Sequence, residues 1–363
     1  MSDAEPDEQP PPRPPRQERE PAQAEITEIA PGVLRSQLPV NLPGIGHVNC
    51  YFLEDERGVA VVDPGLPGPA SFTALEQRLR SAGYGIENVH TAVITHSHFD
   101  HFGGAERLRS LAGAEILTHE SFRPVWESTE VAEPLELPAG EEESGDARRP
   151  PWLSLRRNPW GTEREPLPEK EWRTWEEIAR DDPRWFATPR PTRTVVDAQV
   201  VRLARREWLC LHTPGHTEDH LCLFDPTYGI LLSGDHVLPT ITPHISGLSP
   251  HPDPLARFFD SLLRMGEIDG VTAVLPAHGH PFEDLSGRAK AIRRHHEHRL
   301  TTIRSTAEEF GTGTVPQYMT RLFSERSWGN MAESETFAHL EHLRVLGELT
   351  ATQRDGQTVF SVA

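Results

Sequence analysis

Three cysteines, Cys50, Cys210 and Cys222, are too few for the disulfide framework of a stapled secreted enzyme. Cys210 and Cys222 lie in the apolar runs EWLCLH and HLCLFD, where a small buried side chain is the simplest account. No run of 18 apolar residues occurs, and no positively charged start leads into an apolar stretch. Neither a membrane span nor a secretion signal is therefore expected, and a cytoplasmic address is the default. Positive charge is also scarce: 36 Lys and Arg stand against 55 Asp and Glu, a net −19. That balance opposes nonspecific capture of polyanions and leaves a local basic groove as the route to nucleic acid. No phosphate-binding loop or dinucleotide fingerprint is visible.

Histidine is plentiful, and the chain is organised around residues 91–104, TAVITHSHFDHFGG. Thr91 to Ile94 reads as a buried strand, because its apolar residues bunch without a helical period. His96, His98, Asp100 and His101 follow as H-x-H-x-D-H, offering imidazole nitrogens and a carboxylate, the ligand types that suit divalent zinc, manganese or iron. Three imidazoles and a carboxylate within six residues do not fit comfortably around one ion, so two ions are implied. The two-residue strand period lets His96 and His98 point together, while Asp100 and His101 reach a neighbouring position after the turn. Further polar residues follow apolar runs downstream: His216 after Trp208–His212, Asp235 after Gly229–Leu232, and His278 after Val271–Leu275.

HSHFDH (96–101), TPGHTEDH (213–220), SGDH (233–236) and PAHGHP (276–281), preceded by VVDPG (61–65), resemble the five motifs of the metallo-beta-lactamase superfamily. The resemblance implies a four-layer αββα sandwich with His96, His98 and His216 around a first metal. Asp100, His101 and His278 would surround a second, with Asp235 bridging the two and Asp63 supporting from behind. Asp100 and Asp235 are then the carboxylates expected to take part in catalysis. Zn2+ is the expected ion, with Mn2+ or Fe2+ as alternatives. His220, His236 and His280 are read as supporting, structural or pocket residues rather than ligands.

Residues 1–24, with PPPRPPR and many acids, show no apolar period and read as a disordered tail. The main domain is expected over 25–285. Within it, residues 125–192 form an insertion holding six of the eight tryptophans. Such rings gain free energy by burial, so partial order is expected, with EWRTWEEIARDD as its helix. The insertion either shapes the substrate cleft, or folds against the body or acts as a homodimer arm. Over 286–363, helices at Ser286–Phe310, Pro316–Ser324 and Ala332–Leu346 lead to a hairpin turning at Asp355 and Gly356. This order resembles a winged-helix domain, as in the beta-lactamase-like protein 2 group. The segment carries ten Lys or Arg against nine Asp or Glu. That is little for a phosphate-reading surface, so a structural role is expected.

Two adjacent cations lower the pKa of a shared water and polarise an acyl or phosphoryl oxygen, which makes hydrolysis the simplest reaction class. By resemblance, Asp235 departs from the beta-lactamases of this fold, which lack a bridging aspartate. Two complete sites depart from the iron persulfide dioxygenases, and His98 stands where the flavodiiron pattern has Glu. Acidity and the Trp-rich insertion favour a small-molecule or acyl-thioester substrate. Single-stranded RNA cleavage at the same centre is the alternative, and a metal-stabilised nucleic-acid-binding or assembly factor is a third reading.

Overall fold

The computed structural model describes residues 16–42, 44–123, 157–164 and 169–363. A first sheet holds seven strands in sequence order: β1 (Thr27–Ala30), β2 (Val33–Leu42), β3 (Ile45–Asp55), β4 (Gly58–Val62), β5 (Val89–Val93), β6 (Glu115–His119) and β7 (Arg193–Val195). It is antiparallel up to β4 and parallel from β4 to β7. A second sheet is built from β8 (Val200–Leu203), β9 (Arg206–His212), β10 (Leu221–Asp225), β11 (Ile230–Gly234) and β12 (Ala273–Pro276), ordered β12-β11-β10-β9-β8.

The two-residue period of the strands decides the layers. On β4, Ala60 and Val62 face a core between the sheets, with Trp208, Cys210, Leu221, Leu223 and Leu232 opposite. Val59 and Val61 face outward onto Phe72, Leu75 and Leu79 of α1 (Pro69–Ser81) and Leu108 of α3 (Ala105–Ala112), α2 being the single turn Phe99–Phe102. On the second sheet Cys222, Phe224 and Leu231 face outward, beneath Leu255, Phe258, Phe259, Leu262 and Met265. Those five sit on one face of a helix over Pro254–Gly266, whose first turn is capped by Asp253 Oδ1 accepting from the Ala256 N–H at 2.9 Å. The order is helix, sheet, sheet, helix, a mixed α/β metallo-beta-lactamase sandwich. All three cysteines are buried and free.

The insertion contributes a helix, α4 (Glu169–Asp181), which makes the Pro254–Gly266 helix α5. Trp175 of α4 packs on Phe99 with ring centroids 6.0 Å apart, and Trp185 packs on Phe72 at 5.7 Å. Trp160 is buried elsewhere: its Nε1–H donates to Glu333 Oε2 at 2.7 Å, and its carbonyl accepts from the Thr358 N–H. The described pieces of the insertion therefore pack both beside the H-x-H-x-D-H loop and against the C-terminal segment. Trp126 and Trp152 lie outside the described residues.

Three helices, α6 (Leu285–Phe310), α7 (Val315–Leu322) and α8 (Asn330–Val345), and strands β13 (Thr312–Thr314), β14 (Leu349–Arg354) and β15 (Gln357–Val362) complete the chain. The strands form a sheet ordered β13-β15-β14. Ile292, Leu300, Tyr318, Leu340 and Phe360 share one continuous core with Phe258 and Leu231. Part of the stretch expected to be a disordered tail, 1–24, is placed; residues 1–15 lie outside the described residues. Within 16–24, Glu18 is buried with Oε1 accepting from the Thr240 and Ile241 N–H groups at 2.9 and 3.0 Å. A carboxylate capping amides 222 residues away has no local apolar signature. Among the described residues no helix is long and apolar enough to cross a membrane.

Candidate metal centre

Strand direction gathers the candidate residues. β4 and β5 run parallel; so do β9 and β11, both antiparallel to β10; and β12 runs parallel to β11. The C-terminal ends of these strands therefore share one edge of the sandwich, where the Leu221 N–H reaches the Thr95 carbonyl across the sheets at 2.8 Å. Asp63 follows β4, His96 to His101 follow β5, His216 follows β9, Asp235 follows β11 and His278 follows β12.

The structure brings all seven expected residues together. His96, His98, His216 and Asp235 form one group and Asp100, His101 and His278 another, with the ligand atoms of each group within 4.8 Å of one another. Asp235 spans both. Its Oδ2 lies 3.9 Å from His96 Nε2, 3.6 Å from His216 Nε2 and 3.6 Å from His101 Nε2, while Oδ1 lies 3.4 Å from His278 Nε2. Asp100 Oδ2 stands 3.6 and 3.5 Å from His101 and His278.

These spacings fit ions. Two atoms each about 2.1 Å from a tetrahedral cation stand about 3.4 Å apart. The Nε2 atoms of His101, His216 and His278 and Asp235 Oδ1 are buried without a hydrogen-bond partner, a cost that a cation in their midst removes. The opposite ring nitrogens are all engaged. His101 Nδ1 donates to Asp63 Oδ2 at 3.0 Å, His216 Nδ1 to the His244 carbonyl at 2.7 Å and His278 Nδ1 to the His47 carbonyl at 2.6 Å. Each bond fixes the tautomer that turns the Nε2 lone pair inward. Asp63 also accepts from the Thr95 hydroxyl and amide, both at 2.9 Å, and the same hydroxyl lies 3.0 Å from His96 Nδ1.

The protein's own charges divide the cluster. Burial opposes a proton on His101, but Asp100, Asp235 and Asp63 outweigh it and hold that imidazole well above its ordinary value. The same contest pushes His278 up to about 10. Burial lowers His96 and His216 and brings His98 down to about 3, with neighbouring imidazoles adding to the effect. Burial raises Asp100 and Asp235, but His101 and His278 outweigh it, leaving Asp100 at about 2 and Asp235 well below the carboxylate range.

Several supporting residues escaped the sequence reading. His47 donates from Nδ1 to the Glu20 carbonyl and accepts at Nε2 from the Gly279 N–H, so side chain and carbonyl both hold the His278 loop. Asn49 Nδ2 donates to the Pro276 and Gly279 carbonyls, each at 2.8 Å, and the Tyr51 hydroxyl also donates to Pro276. The alternation His47, Asn49, Tyr51 along an otherwise apolar strand was a usable signal. His220 stands behind the cluster, its Nε2 accepting from the Asp235 N–H at 3.0 Å. His280 points away, 2.8 Å from Glu20 Oε2.

Sandwich and site together define a metallo-beta-lactamase-type protein. The family description "Metallo-beta-lactamase superfamily" matches residues 43–278, and the chain belongs to that superfamily. Among curated proteins it is 30% identical over 115 residues to the lactamase-like protein aptB of Emericella nidulans, covering 32% of this chain and 35% of that one. It is 29% identical over 203 residues to the acyl-coenzyme A thioesterase MBLAC2 of Gallus gallus, covering 52% and 57%. The matches thus span about a third and just over half of those relatives. A longer match, 21% identical over 87% of this chain and 93% of the relative, is to the "probable metallo-hydrolase YqjP" of Bacillus subtilis. The crystal structure of a beta-lactamase domain protein from Burkholderia ambifaria superposes with a TM-score of 0.74 at 25% identity, covering 96% of this chain and 97% of that one. That likeness extends beyond residue 278, into the C-terminal helices.

Proposed function

We propose that the chain is a binuclear metal-dependent hydrolase acting on an organic thioester or ester, with Zn2+ as the resident ion. The observation that carries this reading is the placement of Asp235, whose two oxygens face both ligand groups, while its Oδ1 and three buried imidazole nitrogens around it lack hydrogen-bond partners. His96, His98 and His216 hold one ion, and Asp100, His101 and His278 hold the other, with Asp235 shared. Such a pair, when bound, lowers the pKa of a shared water and polarises the acyl oxygen. The remaining work falls to the chain. Asp63 and the His244 and His47 carbonyls keep three imidazoles in the ligating tautomer. Asp100 and Asp235 balance the cations in a buried site.

The acyl preference is supported by the thioesterase relative and by Trp175 of α4, which lies on Phe99 inside the H-x-H-x-D-H loop and offers an apolar wall beside the centre. The helix-strand-helix-helix-hairpin order of 285–362 supports a winged-helix reading of this segment, which we take as scaffold. Its shared core supports this, as do the Arg304–Glu348, Arg321–Glu309 and Arg344–Glu341 pairs, which neutralise cations a nucleic acid would need. The test is turnover by zinc- and manganese-reconstituted protein on parallel panels of acyl thioesters, esters and single-stranded RNA, with Asp235→Ala as control. Thioester or ester turnover lost in the control is expected. Metal-dependent RNA cleavage without acyl turnover would replace the reading.

A further inference from the structure

The loop between Asp235 and α5 carries His244, whose carbonyl orients His216. Residues 244–248 belong to no helix or strand, and contact with α8 fixes them. The Gly247 N–H donates to Ser334 Oγ at 3.0 Å, and that oxygen lies 3.4 Å from His244 Nε2. Glu335 Oε2 lies 3.7 Å from His244 Nδ1. A Cβ on Gly247 would stand 2.6 Å from the Ser334 carbonyl oxygen and 2.8 Å from the Phe337 ring, so the loop rests on the helix as closely as backbone permits. Glu335 is itself held by Arg299 of α6, whose guanidinium lies 4.4 Å from the centre of the Phe323 ring.

We propose that Gly247, Ser334 and Glu335 are positioning residues for His216: α8 seats the 244–248 loop, and the His244 carbonyl transmits that seating to the Nε2 lone pair. The C-terminal segment would then tune the first metal position without touching it. This inference rests on His216 being a metal ligand.

The foundation of the relay also has a ligand-like composition. His296, Glu335 and His339 place their ligand atoms within 4.8 Å of one another. Of their nitrogens only His296 Nε2 is buried without a partner; the others are engaged. His339 Nδ1 donates to the Glu335 carbonyl at 2.7 Å, leaving Nε2 to accept from His296 Nδ1 at 3.0 Å, and Arg299 supplies the positive charge facing Glu335. A cation there would be repelled by the adjacent Arg299 guanidinium, so the trio is a hydrogen-bonded support.

The test is Co2+ titration of chelator-stripped full-length protein, read by visible absorption and by dialysis stoichiometry. The variants are Gly247→Ala, Ser334→Ala, Glu335→Gln, His339→Ala, His216→Ala and Leu340→Ala, the last a buried core leucine on the same helix. Gly247→Ala and Glu335→Gln should shift the absorption bands and weaken one of two Co2+ sites about tenfold or more, with a smaller effect from Ser334→Ala. Leu340→Ala should lower Tm and leave the bands unchanged. Unaltered bands and affinity in Gly247→Ala and Glu335→Gln, with one Co2+ lost in His216→Ala, would overturn the positioning role. So would an equal band shift in Leu340→Ala. A His216→Ala protein retaining both ions would instead overturn the ligand reading. A third Co2+ abolished by His339→Ala would overturn the support role of the α8 trio.

Discussion

Protons and metal should compete unequally for the two halves of the centre. In metal-free protein at neutral pH, His101 and His278 are protonated beside Asp100 and Asp235, so protons supply the positive charge that an ion would bring. Loading that half makes both imidazoles neutral and expels two protons. Its apparent affinity should rise about tenfold per pH unit for each imidazole still protonated, so at least about tenfold per unit between about pH 7 and 9 from His278 alone. His96, His98 and His216 are held below their ordinary values and are already neutral there, so the other half should bind with nearly flat pH dependence. Folding linkage carries the same signs. The raised pair stabilises metal-free protein below about pH 6.5 and loses that contribution as pH rises towards about 10, whereas the lowered trio loses its contribution as pH falls below about 6.5. Calorimetric zinc titrations in buffers of different ionisation enthalpy count the protons, and urea melts of stripped protein between pH 6 and 10 follow stability. Equal pH slopes at the two sites, or loading without proton release, would refute the reasoning.

Asp63→Asn places an amide where one oxygen accepts from both His101 and Thr95, and should cost about 10–100-fold in metal affinity or turnover; wild-type values for both would contradict the assigned support. Asn49→Ala strips donors from the Pro276 and Gly279 carbonyls and an acceptor from Arg35 and Gln37. It should destabilise by about 1–3 kcal/mol in urea unfolding, with His278-dependent metal lost first. Gly234→Ala adds a Cβ at φ +50°, 2.7 Å from His220 Nε2. A cost of about 1–3 kcal/mol is expected, together with a weakened His220 bond to the Asp235 amide and reduced metal content by elemental analysis.

The layers were legible through the superfamily resemblance, and the meeting of the site residues through the polar residue after each apolar run, which marks the shared strand edge. Which side chains face each core emerged from the alternation on β4 and β10 in the fold. The helices expected from Ser286, Pro316 and Ala332 begin at Leu285, Val315 and Asn330, and the Asp355-Gly356 hairpin spans Leu349–Val362, because caps and turn residues act locally. The supporting carbonyls of His47 and His244 were not legible, since a carbonyl carries no residue signature. Glu18 over Thr240 and Glu335 beside His244 were equally hidden, each contact joining segments far apart in sequence. Trp160 was expected to be buried, but its partner Glu333 on α8 emerged only from the fold.

The most direct measurement is anomalous diffraction at the zinc edge from crystals of zinc-loaded protein. Two peaks are predicted, one against His96, His98 and His216 and one against Asp100, His101 and His278, both within bonding distance of Asp235. A single peak, or two peaks of which one leaves Asp235 unligated, would contradict the shared-carboxylate centre on which the proposed hydrolysis rests.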